Sequence, residues 1–349
     1  MSRLTSSLET QFQRELATIR RRRNSTLTMH NFPDEILTGI FLLTLDPLTV
    51  EVEIISQPKN YSRQRNRLEL VCTKWRTLVR SSACLWAYIS SALPSRVNNR
   101  SLRYSQQHLL MCKTERETSW TRNDQFWASI KPHAQRFGSV SAFASKVILD
   151  IVGGGLESLQ RLKLGGDGNR SDSSHVLASS LESPWPHLQY LVLRGISLPW
   201  SRPLVSNLAY LSLDSIVNLP LTALIQILKT SPNLGELELG SITTVVDSSS
   251  TAFGKIPLPA LRRLRIHSLS GDLLNYLLDI IEPNHLDMFT LSHKPPPGDT
   301  VFSKLPKWAV DSGVDMLLKI TSSFFIPVNV RIPSTGSRSP HPPTRPYRG

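Results

Sequence analysis

The sequence predicts an α/β protein in two ordered parts: a small three-helix module, then an irregular solenoid of short parallel strands and helices. Three observations predict it. At 349 residues and 40% apolar content, the chain is long enough for one small core and one larger one. Helical apolar stripes are concentrated in residues 29–92, and a leucine pattern recurs from Leu159 onward.

Within residues 1–28, Leu4, Leu8, Phe12, Leu16 and Ile19 recur at three- or four-residue steps. That spacing puts them on one stripe of a short helix, which ends in the run Arg20 to Arg23 and would either pair with another helix or, as is expected, pack on its own chain. The segment Phe32-Pro33-Asp34-Glu35-Ile36-Leu37 reads as a helix start. Proline suits the first helical position, where no N–H is needed, and two acidic residues complement the helix dipole. Ile36, Leu37, Ile40, Phe41 and Leu43 then line one face until Asp46-Pro47.

After a polar loop with Pro58, Asn60, Arg63, Arg65 and Arg67, a second helix carries Leu68, Val71, Cys72, Trp75, Leu78 and Val79 on one stripe. Ser81-Ser82 breaks it. A third short segment, with Leu85, Trp86 and Ile89, ends before Pro94. A module of about 60 residues has a marginal core and gains from a partner surface. Residues 93–119 read as a polar connector.

Residues 120–332 change character. The pattern L-x-x-L-x-L appears as Leu159, Leu162, Leu164; Leu188, Leu191, Leu193; Leu208, Leu211, Leu213; Leu234, Leu237, Leu239; Leu261, Leu264, Ile266; and Leu286, Phe289, Leu291. Successive starts lie 29, 20, 26, 27 and 25 residues apart, near the periods of leucine-rich repeats. The last two apolar residues of each copy alternate, as a strand facing a shared core requires. Helical patterns fall between copies, at Leu221, Leu224, Ile225 and Leu228, and at Leu273, Leu274, Leu277, Leu278 and Ile281. Residues 120–147, with Phe126, Trp127, Ile130 and Phe137 as helix-face residues, are expected to open the solenoid, and residues 316–332 to close it. Residues 333–349 have the composition of a disordered, basic Pro/Ser-rich tail.

The formal charge of +13 and pI of 10.0 raise nucleic acid as a partner. Its distribution argues against that, because much of it lies in Arg20 to Arg23, in the loop arginines, and in Arg331, Arg338, Arg345 and Arg348. Cys72, Cys84 and Cys112 are too few for a disulfide framework, which fits a reducing compartment. No secretory signal is visible, and the most apolar stretch, residues 36–45, falls short of the roughly 20 residues a membrane span needs. A cytoplasmic or nuclear protein is expected.

Motifs of catalysis are missing: no phosphate-binding Gly-Lys-Ser/Thr loop, no His-Glu-x-x-His, no Gly-x-Ser-x-Gly. Gly153 to Gly155, Gly165, Gly166 and Gly168 mark turns, and Asp167 among them is a faint sign of calcium. His108 and Cys112 have helical spacing but lack the second pair that zinc needs. Cys72 reads as a small core hydrophobe. No enzyme activity, metal or cofactor is expected.

The stretch from Phe32 to Ile89 resembles the F-box family. Its Leu-Pro-x-Glu-Ile-Leu opening appears as Phe32 to Leu37, its Val-Cys-x-x-Trp element as Val71 to Trp75, and its closing Leu-Trp as Leu85-Trp86. The resemblance covers about a sixth of the chain. It implies docking on a Skp-type adaptor, and through it on a cullin and a RING subunit, with Phe32, Pro33, Ile36, Leu37, Leu70, Val71 and Trp75 as the adaptor-facing residues. Ile40, Phe41, Leu78 and Trp86 look like the module's own core. Two departures are Phe32 in place of leucine and a long charged loop from Asp46 to Arg67.

F-box proteins commonly carry leucine-rich repeats that bind the protein to be ubiquitinated. On the strands predicted here, outward positions are Arg161 and Lys163; Tyr190, Val192 and Arg194; Tyr210, Ser212 and Asp214; Glu236 and Glu238; Arg263, Arg265 and His267; Met288, Thr290 and Ser292. Alternating charge with two tyrosines suits a protein target better than a phosphate backbone. Arg161, Lys163, Tyr190, Arg194, Tyr210, Glu236, Glu238, Arg263 and Arg265 are the candidate target-binding residues. The expectation is a non-catalytic substrate receptor of a cullin-RING ubiquitin ligase. The competing expectation is a scaffold or chromatin-associated protein that holds nucleic acid through its basic ends and a partner through its repeats.

Overall fold

The computed structural model describes residues 2–45, 58–115, 119–166, 175–176, 185–200, 205–245, 254–293, 315–320 and 328–330. The chain is a mixed α/β protein with mostly parallel strands, and it divides into two compact units, residues 1–141 and 142–349.

In the first unit, helix α1 (Ser2–Ser25) runs through the arginine run instead of ending at it. Three residues of the stripe assigned to packing stay in water, with Leu8, Phe12 and Ile19 exposed by 64–66%, while Leu16 is half-buried. A stripe of about one apolar residue per turn is too narrow to bury a helix of this length. Helix α2 (Asp34–Thr44) begins one residue later than the sequence suggests, so that Pro33 stands just before it and its carbonyl accepts the Leu37 N–H at 3.1 Å.

The apolar run expected as one helix is two. Helix α3 (Pro58–Val71) and helix α4 (Thr73–Ser81) meet at Cys72, whose backbone is extended at φ −159°, ψ 174°. Its Sγ accepts the Trp75 N–H at 3.5 Å, so Cys72 caps α4 rather than filling the core. Arg76 Nε braces the corner by donating to the Glu69 carbonyl at 3.1 Å. Helix α3 also absorbs the supposed loop from Pro58 to Arg67; residues 46–57 of that loop lie outside the described residues.

Arg65 is 1% exposed and lies 3.8 Å from the Trp86 ring centre, with Nη1 donating to the Leu85 carbonyl at 3.5 Å and to Ser101 Oγ at 3.2 Å. Desolvation brings its pKa down to about 10. The surrounding core joins Leu37, Phe41, Leu78, Val79, Leu85 and Trp86, and the Trp86 indole donates to the Val79 carbonyl at 2.7 Å.

No third α-helix follows. Leu85-Trp86 sit in a single 3-10 turn, and Ile89 lies in strand β1 (Tyr88–Ser90). Strand β1 pairs in parallel with β2 (Leu110–Lys113), and β2 with β3 (Phe137–Phe143); helix α5 (Ser95–Tyr104) joins the first pair and α6 (Trp120–Ile130) the second. Residues 93–119 are therefore no plain connector. They read as one because the buried face of α5 is polar: Asn98 is fixed to the Ser90 backbone, donating to its carbonyl at 2.9 Å and accepting its N–H at 3.3 Å. Phe126, Trp127 and Ile130 are buried as expected, whereas Phe137 starts a strand.

In the second unit, after helix α7 (Lys146–Gly153), each copy of the leucine pattern yields one strand: β4 (Arg161–Gly165), β5 (Tyr190–Arg194), β6 (Tyr210–Asp214), β7 (Glu236–Gly240), β8 (Arg263–His267) and β9 (Met288–His293). They pair in parallel, in chain order and residue for residue. Strand β10 (Asp315–Ile320) continues the order, and β11 (Val328–Val330) closes it antiparallel; residues 331–349, including the predicted tail, lie outside the described residues.

Every pattern residue is at most 2% exposed. Small repeated bonds fix the strand ends. The leading leucine of most copies closes a turn, as where Leu234 N–H meets the Ser231 carbonyl and Leu261 N–H the Leu258 carbonyl, both at 3.1 Å. At the other end, Gly195, Ser215, Ser241 and Ser268 take left-handed φ values of 64°, 56°, 46° and 50°. Each donates its N–H to the last or next-to-last carbonyl of the next strand, for example Ser215 to Gly240 at 2.9 Å and Ser268 to Ser292 at 2.9 Å. Helices α8 (Leu221–Lys229) and α9 (Gly271–Ile280) occupy the predicted intervals, except that Ile281 opens a short strand.

Candidate functional site

Residue-for-residue pairing sorts the face opposite the leucines into rows. The first reads Arg161, Tyr190, Tyr210, Glu236, Arg263, Met288; the second Lys163, Val192, Ser212, Glu238, Arg265, Thr290; the third Gly165, Arg194, Asp214, Gly240, His267, Ser292. Neighbours in a row are one strand spacing apart, about 4.8 Å, so their side chains meet. All nine candidate target-binding residues fall on this face.

Tyr190 and Tyr210 stack with ring centres 4.1 Å apart and planes 14° off parallel. The Tyr210 hydroxyl donates to Glu238 Oε2 at 3.1 Å. Burial, and then the neighbouring Tyr190 and Glu238, push its pKa well above the usual phenol value. Arg263 Nη1 holds Glu236 Oε1 at 3.0 Å. His267 reaches past strand β7 to bring Nε2 within 3.3 Å of Asp214 Oδ1. That reach requires Gly240, because a Cβ there would overlap the imidazole. The hydrogen bond lowers the Asp214 pKa and raises that of His267.

Two outward positions differ from expectation. Val192 and Ser212 are 3% and 1% exposed, because short side chains set among tyrosines, Lys163 and Glu238 lie below the level water reaches. Charge on the face is also less available than its alternation suggests: Glu236, Glu238 and Asp214 are each engaged within the sheet.

The first unit presents a separate apolar surface. Phe32, Ile36, Leu70 and Val71 are exposed by 41%, 53%, 75% and 55%, and Pro33 is exposed beside them. Lys74 Nζ lies 3.7 Å from Asp34 Oδ1, which brings the α3–α4 corner against the first turn of α2. Leu37 and Trp75 do not belong to this surface. Leu37 is wholly buried, and half-buried Trp75 packs on Phe41 with ring centres 4.7 Å apart. Leu37 and Phe41, one helical turn apart, form the inward face of α2.

Among the described residues, no group of three or more His, Cys, Asp or Glu is placed to hold a metal ion, and no helix is long and apolar enough to cross a membrane. Cys112 is buried on strand β2, so its helical spacing with His108 does not exist; Asp167 and Gly168 lie outside the described residues.

Sequence reasoning missed the Arg65–Trp86 stack, with Glu69 held nearby by Arg100 at 2.8 Å and Arg80 at 3.1 Å. No local signal marks it, since a charged residue in a polar stretch reads as solvated. The His267–Asp214 link does leave a signal: when the leucine copies are aligned, a glycine falls between the two in the third row. Compared with known proteins, the chain matches no family model and no curated sequence.

Proposed function

We propose that this chain is a non-catalytic substrate receptor of a cullin-RING ubiquitin ligase, with an F-box-like module that docks a Skp-type adaptor and a leucine-rich-repeat sheet that binds the target. The observation that carries the reading is a division of labour within the helical module. Apolar positions of the F-box-like stretch split into a filled core, with Leu37, Phe41, Leu85 and Trp86, and an exposed set, with Phe32, Ile36, Leu70 and Val71. An apolar set left in water after the core is complete is what docking into a partner's groove requires. In-register strands with buried leucines support the repeat assignment, and the row of tyrosines and charges supports a protein target. Such a receptor works in the cytoplasm or nucleus.

The test is assembly. Full-length chain mixed with a Skp-type adaptor, a cullin and a RING subunit is expected to co-elute with them as one complex in size-exclusion chromatography; elution of the folded chain alone opposes the proposal.

One observation favours the scaffold reading: helix α1 carries Arg20 to Arg23 together with exposed Leu8, Phe12 and Ile19. That reading predicts nucleic-acid binding that weakens steeply with salt and disappears when the basic ends are removed.

A further inference from the structure

Pairing within the sheet changes what its face offers to a partner. Each carboxylate is engaged: Glu236 by Arg263, Glu238 by the Tyr210 hydroxyl, and Asp214 by His267. The side chains of Arg161 and Arg265 make no hydrogen bond or ion pair among the described residues. They stand four strands apart, Arg161 at the β4 end of the first row and Arg265 on β8 in the second. Between them lies the stacked tyrosine pair.

We propose that the target is recognised through an extended acidic segment that crosses the strands, places one carboxylate on Arg161 and another on Arg265, and lays an apolar or aromatic residue over Tyr190 and Tyr210. The proposal rests on the receptor reading above and names the chemistry of its target. Charge complementarity selects this occupant. A basic segment would meet two guanidinium groups without an ion pair among the described residues and carboxylates already taken, and a continuous phosphate backbone would run over Glu236 and Glu238. Guanidinium groups also suit carboxylates by forming two parallel hydrogen bonds.

Spacing follows from sheet geometry. Four strand intervals of about 4.8 Å, with an offset of one residue pair along the strand, separate the two arginines by about 20 Å. At about 3.3 Å per extended residue, the two carboxylates are about six residues apart.

The experiment is a peptide series probed with the full chain by fluorescence polarisation. Each peptide carries two glutamates, spaced three to nine residues apart, with one central leucine-tyrosine step and serine elsewhere; a matching series carries lysines. Binding is expected to peak near a spacing of six, to be absent from the lysine series, and to weaken at least tenfold in Arg161→Glu/Arg265→Glu. That variant is expected to keep a melting temperature close to wild type, since neither arginine side chain makes a hydrogen bond or ion pair among the described residues. Its co-elution with the adaptor is measured alongside and is expected to be unchanged. Equal binding by wild type and variant, no binding by wild type, no dependence on spacing, or preference for duplex DNA over the glutamate series overturns the proposal. Loss of adaptor co-elution by wild type with peptide binding intact would instead overturn the receptor reading and leave the acidic-segment site standing.

Discussion

At Gly240 the absence of one carbon decides the electrostatics of a row. A methyl group there would meet the His267 ring, and the ring would have to leave Asp214. Gly240→Ala is therefore expected to destabilise the protein by about 1–3 kcal/mol, the range for forcing an atom into filled space. NMR titration should find the His267 pKa falling back toward its ordinary value in that variant; an unchanged titration would contradict the geometry. The pair also makes stability depend on pH. The folded His267 pKa is raised above 6.5, so its contribution is complete below pH 6.5 and declines as pH rises through the folded value. The folded Asp214 pKa is lowered below 3.8, so its contribution is present above pH 3.8 and declines as pH falls through the folded value. The excess stability of wild type over Asp214→Asn, measured in urea, is expected to be largest between these two limits. A difference that stays flat from pH 3 to pH 9 would remove the pair from the account.

At the scale of elements, what the sequence discloses depends on whether apolar spacing carries the signal. Each leucine copy became a strand at its stated position because alternation over a few residues has one structural solution once a neighbouring copy repeats it. The helix across residues 68–79 misled because apolar spacing continued unbroken over Cys72, while the break is made by that residue's own backbone and cap. Helix α5 was hidden for the opposite reason: Asn98 and Ser101 supply a buried polar face that reads as exposed. Of the adaptor-facing positions, Leu37 and Trp75 moved inward, because a linear motif does not say which of two adjacent apolar residues the helix turns toward its core. The strand ends were also illegible, since three of the four left-handed residues are serines. Serine in that conformation is strained, and glycine relieves the strain at some entropic cost. Ser215→Gly and Ser241→Gly are each expected to raise the unfolding free energy by about 0.5–1 kcal/mol. Destabilisation by either would mean that the serine side chain, not the backbone, holds the corner.

For the whole molecule, two surfaces fall in two compact units: an exposed apolar set in the first and a tyrosine-and-arginine face in the second. The core of the first unit extends to Tyr88, Tyr104 and Met111, so its docking surface is best tested in the full chain rather than in a fragment ending before them. The most direct measurement is the affinity of the full-length protein for a Skp-type adaptor, by calorimetry, for wild type and for Ile36→Asp/Leu70→Asp. Both substituted residues are more than half exposed, so the variant is expected to keep its fold, which far-UV circular dichroism and the melting temperature check. The account predicts a stoichiometric complex for wild type and at least a hundredfold weaker binding for the folded variant. Wild type that does not bind, or a variant that binds as well, would contradict it.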